Sequence, residues 1–124
     1  MMRLTKNFYR QEFDCKDGTP VPQHLLPNVR AIAENLQVLR DHINLPIIVN
    51  SGYRTIAYNR SVGGAPNSQH LTANAADIRI KGIAPKKLAE TIEKLISEGK
   101  LKFKGLGIYP TFVHVDLRKN KARW

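Results

Sequence analysis

Disulfide bridges and membrane-spanning segments are both missing from this chain. The sequence has a single cysteine, Cys15, so no disulfide can form within it, and we expect this small thiol to be buried. No apolar run approaches the ~20 residues that span a bilayer. Residues 1–7 lack the apolar segment of a secretory signal. We therefore exclude a disulfide scaffold and an integral membrane protein, and expect a chain made in the cytoplasm without a signal peptide.

Acidic residues are scarce, since 10 Asp and Glu stand against 20 Lys and Arg, for a formal net charge of +10. Such a charge favours an anionic partner, either nucleic acid, a membrane surface or an acidic polymer such as a bacterial cell wall. A simpler explanation of the charge is that the basic residues only keep the protein soluble. The basic residues are spread along the chain, and no basic stripe is interleaved with stacking aromatics. We therefore expect no nucleic-acid partner.

One domain over residues 1–124 is expected, because the chain is long enough for a core and contains no repeat, linker or low-complexity segment. Apolar residues at spacings of three and four predict amphipathic helices at 25–43 and 85–98. Short β-branched or alternating runs predict strands at 47–50, 77–80, 105–110 and 112–117. The tail is basic and ends in Trp124, an aromatic able to lie over the body.

A histidine and an aspartate, His70 and Asp77, lie seven positions apart in the stretch 68–77. A continuous helix would separate them by about 10 Å along its axis. That is too far for both side chains to touch one ion. If they share a metal, the residues between them must form a bent loop.

A second polar pair lies in the alternating run 112–116. Strand geometry puts His114 and Asp116 on one face, with the intervening valines on the other. Two imidazoles and a carboxylate make a ligand set suited to zinc, with a fourth position free for water. The alternative is an edge strand whose polar face arose by chance.

These motifs, together with Ser51-Gly52-Tyr53-Arg54 and Tyr109-Pro110, resemble the zinc D-Ala-D-Ala carboxypeptidase family. The similarity is to the branch that includes phage endolysin peptidases and murein endopeptidases, and it extends from Leu4 to Trp124. It implies an α+β fold of the hedgehog and D-Ala-D-Ala-peptidase type. In that fold a small, mostly antiparallel sheet is flanked by two main helices.

The resemblance also implies a metal site in which His70, Asp77 and His114 bind one Zn²⁺, with water as the fourth ligand. Zinc would lower the pKa of that water from ~15.7 toward ~7 and polarise the scissile carbonyl.

Four further residues in the same motifs are implicated in substrate contacts. Arg54 is expected to stabilise the developing oxyanion or bind a peptide carboxylate; its alternative is a surface salt bridge. Ser68 and Tyr53 are expected to contact substrate, and for Ser68 a loop cap is the competing interpretation. Tyr109 is a candidate for stabilising the oxyanion, or else a strand aromatic that packs its ring.

The catalytic base is where the sequence departs from many relatives, which carry Glu or His two or three residues before the last zinc ligand. Here Phe112 and Thr111 occupy those positions, and neither can act as a base. The remaining candidate for the base is therefore Asp116, on the same strand face as His114. It is either the base that takes a proton from the water or a carboxylate that orients a ligand histidine.

The function implied is hydrolysis of a peptide bond in bacterial peptidoglycan by a monomer acting at the cell wall. Carboxypeptidase, cross-link endopeptidase and L-alanyl-D-glutamate cleavage all stay open, and a phage lysis programme with a separate holin is one hypothesis for the route. One alternative is a catalytically silent zinc or wall-binding module. The other, motivated by charge alone, is a nucleic-acid-binding protein.

Overall fold

The chain folds as an α+β domain, seen here in a computed structural model that describes residues 1–124. Three single turns of 3₁₀ helix occur at Arg10–Phe13, Gln23–Leu25 and Gln69–Thr72. The helices are α1 (Leu26–Ile43), α2 (Ile56–Ser61) and α3 (Pro85–Ser97). The strands are β1 (Ile48–Ser51), β2 (Ala75–Arg79), β3 (Gly105–Ile108), β4 (Val113–Asp116) and β5 (Ala122–Arg123). The expected fold class and mostly antiparallel sheet are confirmed.

The five strands form one sheet in the order β1-β2-β4-β3-β5. The pairs β1–β2, β2–β4 and β4–β3 are antiparallel, whereas β5 runs parallel to β3. The sequence predicted no strand in the tail. A strand as short as Ala122–Arg123 has no pattern of its own, and it forms because the exposed edge of β3 offers backbone partners to residues such as Trp124.

The long helices α1 and α3 cover one face of the sheet. Each begins with a proline in its first turn, where no backbone N–H partner is needed. Helix α1 is capped at its C-terminus by Asn44, whose φ of 59° is left-handed. Their apolar stripes join the sheet in one cluster of buried side chains that includes Val29, Ile32, Leu36, Leu39, Ile78, Leu88, Ile92, Leu95, Val113 and Val115. Cys15 is buried, as expected.

The opposite face of the sheet carries polar residues at its centre. Asp77 on β2 lies directly across from His114 on β4. On the next strand, Gly107 pairs with His114 and Gly105 with Asp116. Strand β3 therefore presents no side chains to this face at those positions, which leaves room beside the polar groups. None of the helices is long and apolar enough to cross a membrane.

Candidate metal centre

The chain between His70 and Asp77 is bent, as sharing a site requires. A 3₁₀ turn carries His70, the Ser68 hydroxyl accepts a hydrogen bond from the His70 N–H, and Ala73 ends the turn with a left-handed φ of 56°. Strand β2 begins two residues later. This reversal brings His70 Nε2 to 3.1 Å from Asp77 Oδ1.

His114 reaches the same carboxylate oxygen from the neighbouring strand. Its Nδ1 lies 2.9 Å from Asp77 Oδ1, because the two residues are direct cross-strand partners with side chains on one face. The two imidazole rings meet edge to face, with centroids 5.1 Å apart. All three side chains are buried, and one ligand atom from each lies within 4.8 Å of the others.

The hydrogen bonds on the far sides of the two rings fix which nitrogens face the carboxylate without a proton. His70 Nδ1 is 2.6 Å from the carbonyl oxygen of Gly52, an acceptor, so Nδ1 carries the proton in the neutral ring. His114 Nε2 is 2.7 Å from Asp116 Oδ2 and is protonated for the same reason. His70 Nε2, His114 Nδ1 and Asp77 Oδ1 therefore converge with their lone pairs facing one another. That arrangement is unfavourable unless a cation lies among them, and a neutral-His, carboxylate set fits one Zn²⁺ ion.

The charges of the cluster favour a bound cation. Burial by itself would raise the pKa of Asp77, but the His114 and His70 rings beside its carboxylate outweigh burial and hold that pKa well below its usual range. Burial also disfavours a charged His114, yet its bonds to Asp116 and Asp77 raise its pKa above the ordinary value. The carboxylates stay ionised and together attract a cation.

Arg54 holds the outer oxygen of the Asp77 carboxylate. Its Nη2 donates to Asp77 Oδ2 at 3.2 Å, Nε donates to Ser51 Oγ at 3.1 Å, and Nη1 donates to Asn59 Oδ1 at 3.2 Å. Asn59 is buried and donates in turn to the carbonyl of Ala65. Arg54 is thus an internal partner of Asp77 rather than a surface ion pair.

Asp116 lies behind His114, on the side away from Asp77. It is fully buried, and its Oδ2 receives the Nε2 proton of His114. Arg118 donates to both of its oxygens, at 2.9 Å from Nε to Oδ1 and 2.7 Å from Nη2 to Oδ2. Despite its burial, these bonds hold the pKa of Asp116 well below its usual range.

A cleft of about 260 Å³ opens beside the three clustered residues. The loop 62–65 lines it, as do Tyr109 and Phe112, whose rings stack with centroids 4.5 Å apart. Arg54 also lines this cleft. Ser68 and Tyr53 do not: Ser68 caps the 3₁₀ turn, and Tyr53 packs against the hydrophobic core.

The sequence matches a known family. A sequence model of the peptidase M15 family matches residues 4–116. The chain belongs to the peptidase M15 family. Over 44 residues it is 46% identical to the zinc D-Ala-D-Ala carboxypeptidase of Streptomyces albus G, a stretch that covers 35% of this chain and 17% of that protein. The chain therefore matches less than a fifth of that relative's length.

Sequence reasoning missed the roles of several residues around this cluster. Ser51 was given no role within its motif and Asn59 was not singled out, although both hold Arg54, and Arg118 was grouped with the basic tail. Arg118 and Trp124 also lie beyond the segment that the family model matches. The Gly-x-Gly spacing of Gly105 and Gly107 was the one available signal, since it marks a strand without side chains on one face.

Gly105→Ala tests how rigidly the Asp116 carboxylate is held. An added Cβ would overlap that carboxylate, which cannot retreat from its bonds to Arg118 and His114. We expect a loss of about 1–3 kcal/mol in the free energy of unfolding, as for other overpacked sites, and weakened zinc binding. Thermal denaturation and metal content measure the two effects.

Gly82→Ala is the matched control for that substitution. An added Cβ there meets nothing, and the φ of +85° alone costs about 1–2 kcal/mol. This control should lose stability and keep its zinc. Equal zinc content in the two variants would contradict the expected displacement of Asp116.

Proposed function

We propose that this M15 chain is a zinc peptidase that hydrolyses a peptide bond in bacterial peptidoglycan, acting at the cell wall as a monomer. The observation that carries the proposal is the convergence of His70 Nε2, Asp77 Oδ1 and His114 Nδ1 in a buried cluster at the base of an open cleft. The named activity of the Streptomyces albus G relative supports a substrate with D-amino acids. The net charge of +10 suits a wall that carries anionic polymers.

Zinc bound at this cluster would supply Lewis acidity and an activated water at neutral pH. His70, Asp77 and His114 would hold it, with their outer atoms fixed by Gly52, Arg54 and Asp116. The buried partners orient the rings and carboxylate before substrate arrives, so little reorganisation accompanies the reaction.

Two cleft residues are suited to the substrate carbonyl. Arg54 uses three of its five N–H groups within the protein, so two stay available to an oxyanion or a peptide carboxylate. Tyr109 also lines the cleft and carries a phenol. We assign both to stabilising the oxygen of the scissile carbonyl as charge develops on it.

For Asp116, the contacts support the orienting role over the base. Both of its oxygens are engaged, it is fully buried, and it does not line the cleft. A general base must come within hydrogen-bond reach of the proton that it takes. The role assigned here is to hold the Nε2 proton of His114 and so keep Nδ1 free for the metal.

The proposal is tested by incubating the purified chain with defined muropeptides, with and without a chelator. Mass spectrometry then gives the masses of the released fragments. We expect one zinc ion per chain, cleavage at a single type of peptide bond, loss of cleavage with the chelator, and recovery on adding zinc. The mass of the products identifies the bond. Unchanged cleavage in chelator, or no cleavage by the zinc-loaded chain, would contradict the proposal.

A catalytically silent zinc or wall-binding module is the second candidate. The observation in its favour is that Asp77, itself assigned to the metal, is the one carboxylate lining the cleft. Such a module would retain zinc and sediment with purified cell walls while releasing no fragments. The same mass measurement therefore separates it from the peptidase.

A further inference from the structure

Trp124 packs against the metal-site face of the sheet although it lies beyond the segment that the family model matches. Its indole ring centroid is 5.1 Å from that of His114. The ring rests over Gly107, where any Cβ would overlap it. The Trp124 N–H donates to the Leu106 carbonyl and the Ile108 N–H donates to the Trp124 carbonyl, which holds the residue at the edge of β3. The position of the indole is therefore set by main-chain pairing and by the missing side chain beneath it.

Two polar partners connect this ring to the site. The indole Nε1 donates a hydrogen bond to Tyr109 Oη at 2.8 Å. The guanidinium of Arg118 stacks 4.9 Å from the centre of the indole while it binds Asp116. One aromatic residue thus contacts His114 itself, the phenol of the cleft wall, and the arginine behind the orienting carboxylate.

We propose that Trp124 is a positioning residue that acts through the Tyr109 hydroxyl. The proposal rests on the proposed function. Because Trp124 Nε1 can only donate, Tyr109 Oη is the acceptor in their hydrogen bond. The proton of the phenol is then free to be donated into the cleft. Trp124 therefore turns Tyr109 into an oriented donor for the oxygen of the scissile carbonyl.

Core packing does not explain this arrangement. Trp124 and Tyr109 are 46% and 36% exposed as whole residues, so neither belongs to the buried cluster. A hydrogen bond between two exposed groups adds little to folding stability. The geometry instead keeps the phenol stacked on Phe112 at the rim of the cleft.

The test is a double-substitution cycle with Trp124→Phe and Tyr109→Phe, measured on the muropeptide that the wild-type chain cleaves. Trp124→Phe keeps an aromatic ring and loses the N–H, and Tyr109→Phe removes the phenol. We expect each to lower kcat by about fivefold or more, the worth of one neutral hydrogen bond, with KM little changed. Because both act through one hydroxyl, the double variant should be no slower than Tyr109→Phe alone.

Tyr9→Phe is the matched control, because it also removes a phenol that accepts an N–H bond, from Arg3, but does so outside the site. It should keep the wild-type kcat. Wild-type turnover in Trp124→Phe, or effects that multiply in the double variant, would overturn the role of Trp124 and leave the proposed function intact.

A readout independent of turnover comes from the fluorescence of Trp124, the chain's single tryptophan. Co²⁺ added to the zinc-free chain should quench its emission, since the indole contacts His114. His114→Ala should abolish this quenching. Unquenched emission from a chain that binds Co²⁺ would overturn the placement of Trp124, whereas quenching without any muropeptide cleavage would overturn the proposed function and, with it, the positioning role.

Discussion

His114→Ala is expected to abolish both zinc retention and peptide hydrolysis. The substitution removes one of three converging ligand atoms and leaves the ionised Asp77 with a single imidazole partner. Loss of an outer partner of a metal ligand costs ~10–100-fold in affinity, and loss of the ligand itself should exceed that. Metal content after gel filtration and the rate of muropeptide cleavage measure the two effects.

A binding measurement that does not depend on catalysis tests the same ligand set. Zinc at 1,000 times its dissociation constant stabilises a folded chain by about 4 kcal/mol. The melting temperature of the wild type should therefore rise when zinc is added to the metal-free protein. His114→Ala should melt at the same temperature with and without the ion.

His42→Ala serves as the control, because His42 is exposed near the end of α1 and takes no part in the cluster. It should keep zinc, activity and the zinc-dependent rise in melting temperature. A His114→Ala protein that retains a full equivalent of zinc would rule out the assigned ligand set.

Much of the site follows from local sequence patterns. The alternation in β4 puts His114 and Asp116 on one face, because successive side chains in a strand point to opposite sides. The need for a bent loop between His70 and Asp77 follows from the length of two helical turns, and the 3₁₀ turn with its left-handed Ala73 meets that need. Short-range geometry is sufficient for both features.

The supporting groups depend on long-range pairing that no local pattern encodes. Arg118 holds Asp116 from two positions along the chain, but its role depends on Gly105 lying opposite and adding no side chain. Trp124 reaches His114 because β5 pairs with β3 in parallel. Strand register fixes these contacts, and a sequence read by itself does not give the register.

Asp116→Asn distinguishes the two roles that the sequence left open. If Asp116 orients His114, the amide presents a donor where a carboxylate oxygen now accepts from His114 or Arg118. Zinc affinity should then fall ~10–100-fold, and turnover should fall at limiting zinc and recover substantially when zinc is raised. Titration with zinc, followed by hydrolysis at each concentration, measures this. If Asp116 were the base, zinc affinity would be unchanged and added zinc would restore nothing.

We expect Asp116 to orient His114 rather than to act as the base, because its carboxylate is already paired on both sides. Arg118 neutralises Asp116 on one side and His114 binds it on the other, so a proton taken by Asp116 would have to displace one of these bonds. Its pKa, held well below the usual range by the same contacts, makes it a poor proton acceptor at neutral pH. Asp41→Asn, at an exposed carboxylate that accepts from Gln37, should change neither zinc affinity nor turnover. Turnover that stays absent in zinc-saturated Asp116→Asn would instead assign the proton transfer to this buried carboxylate.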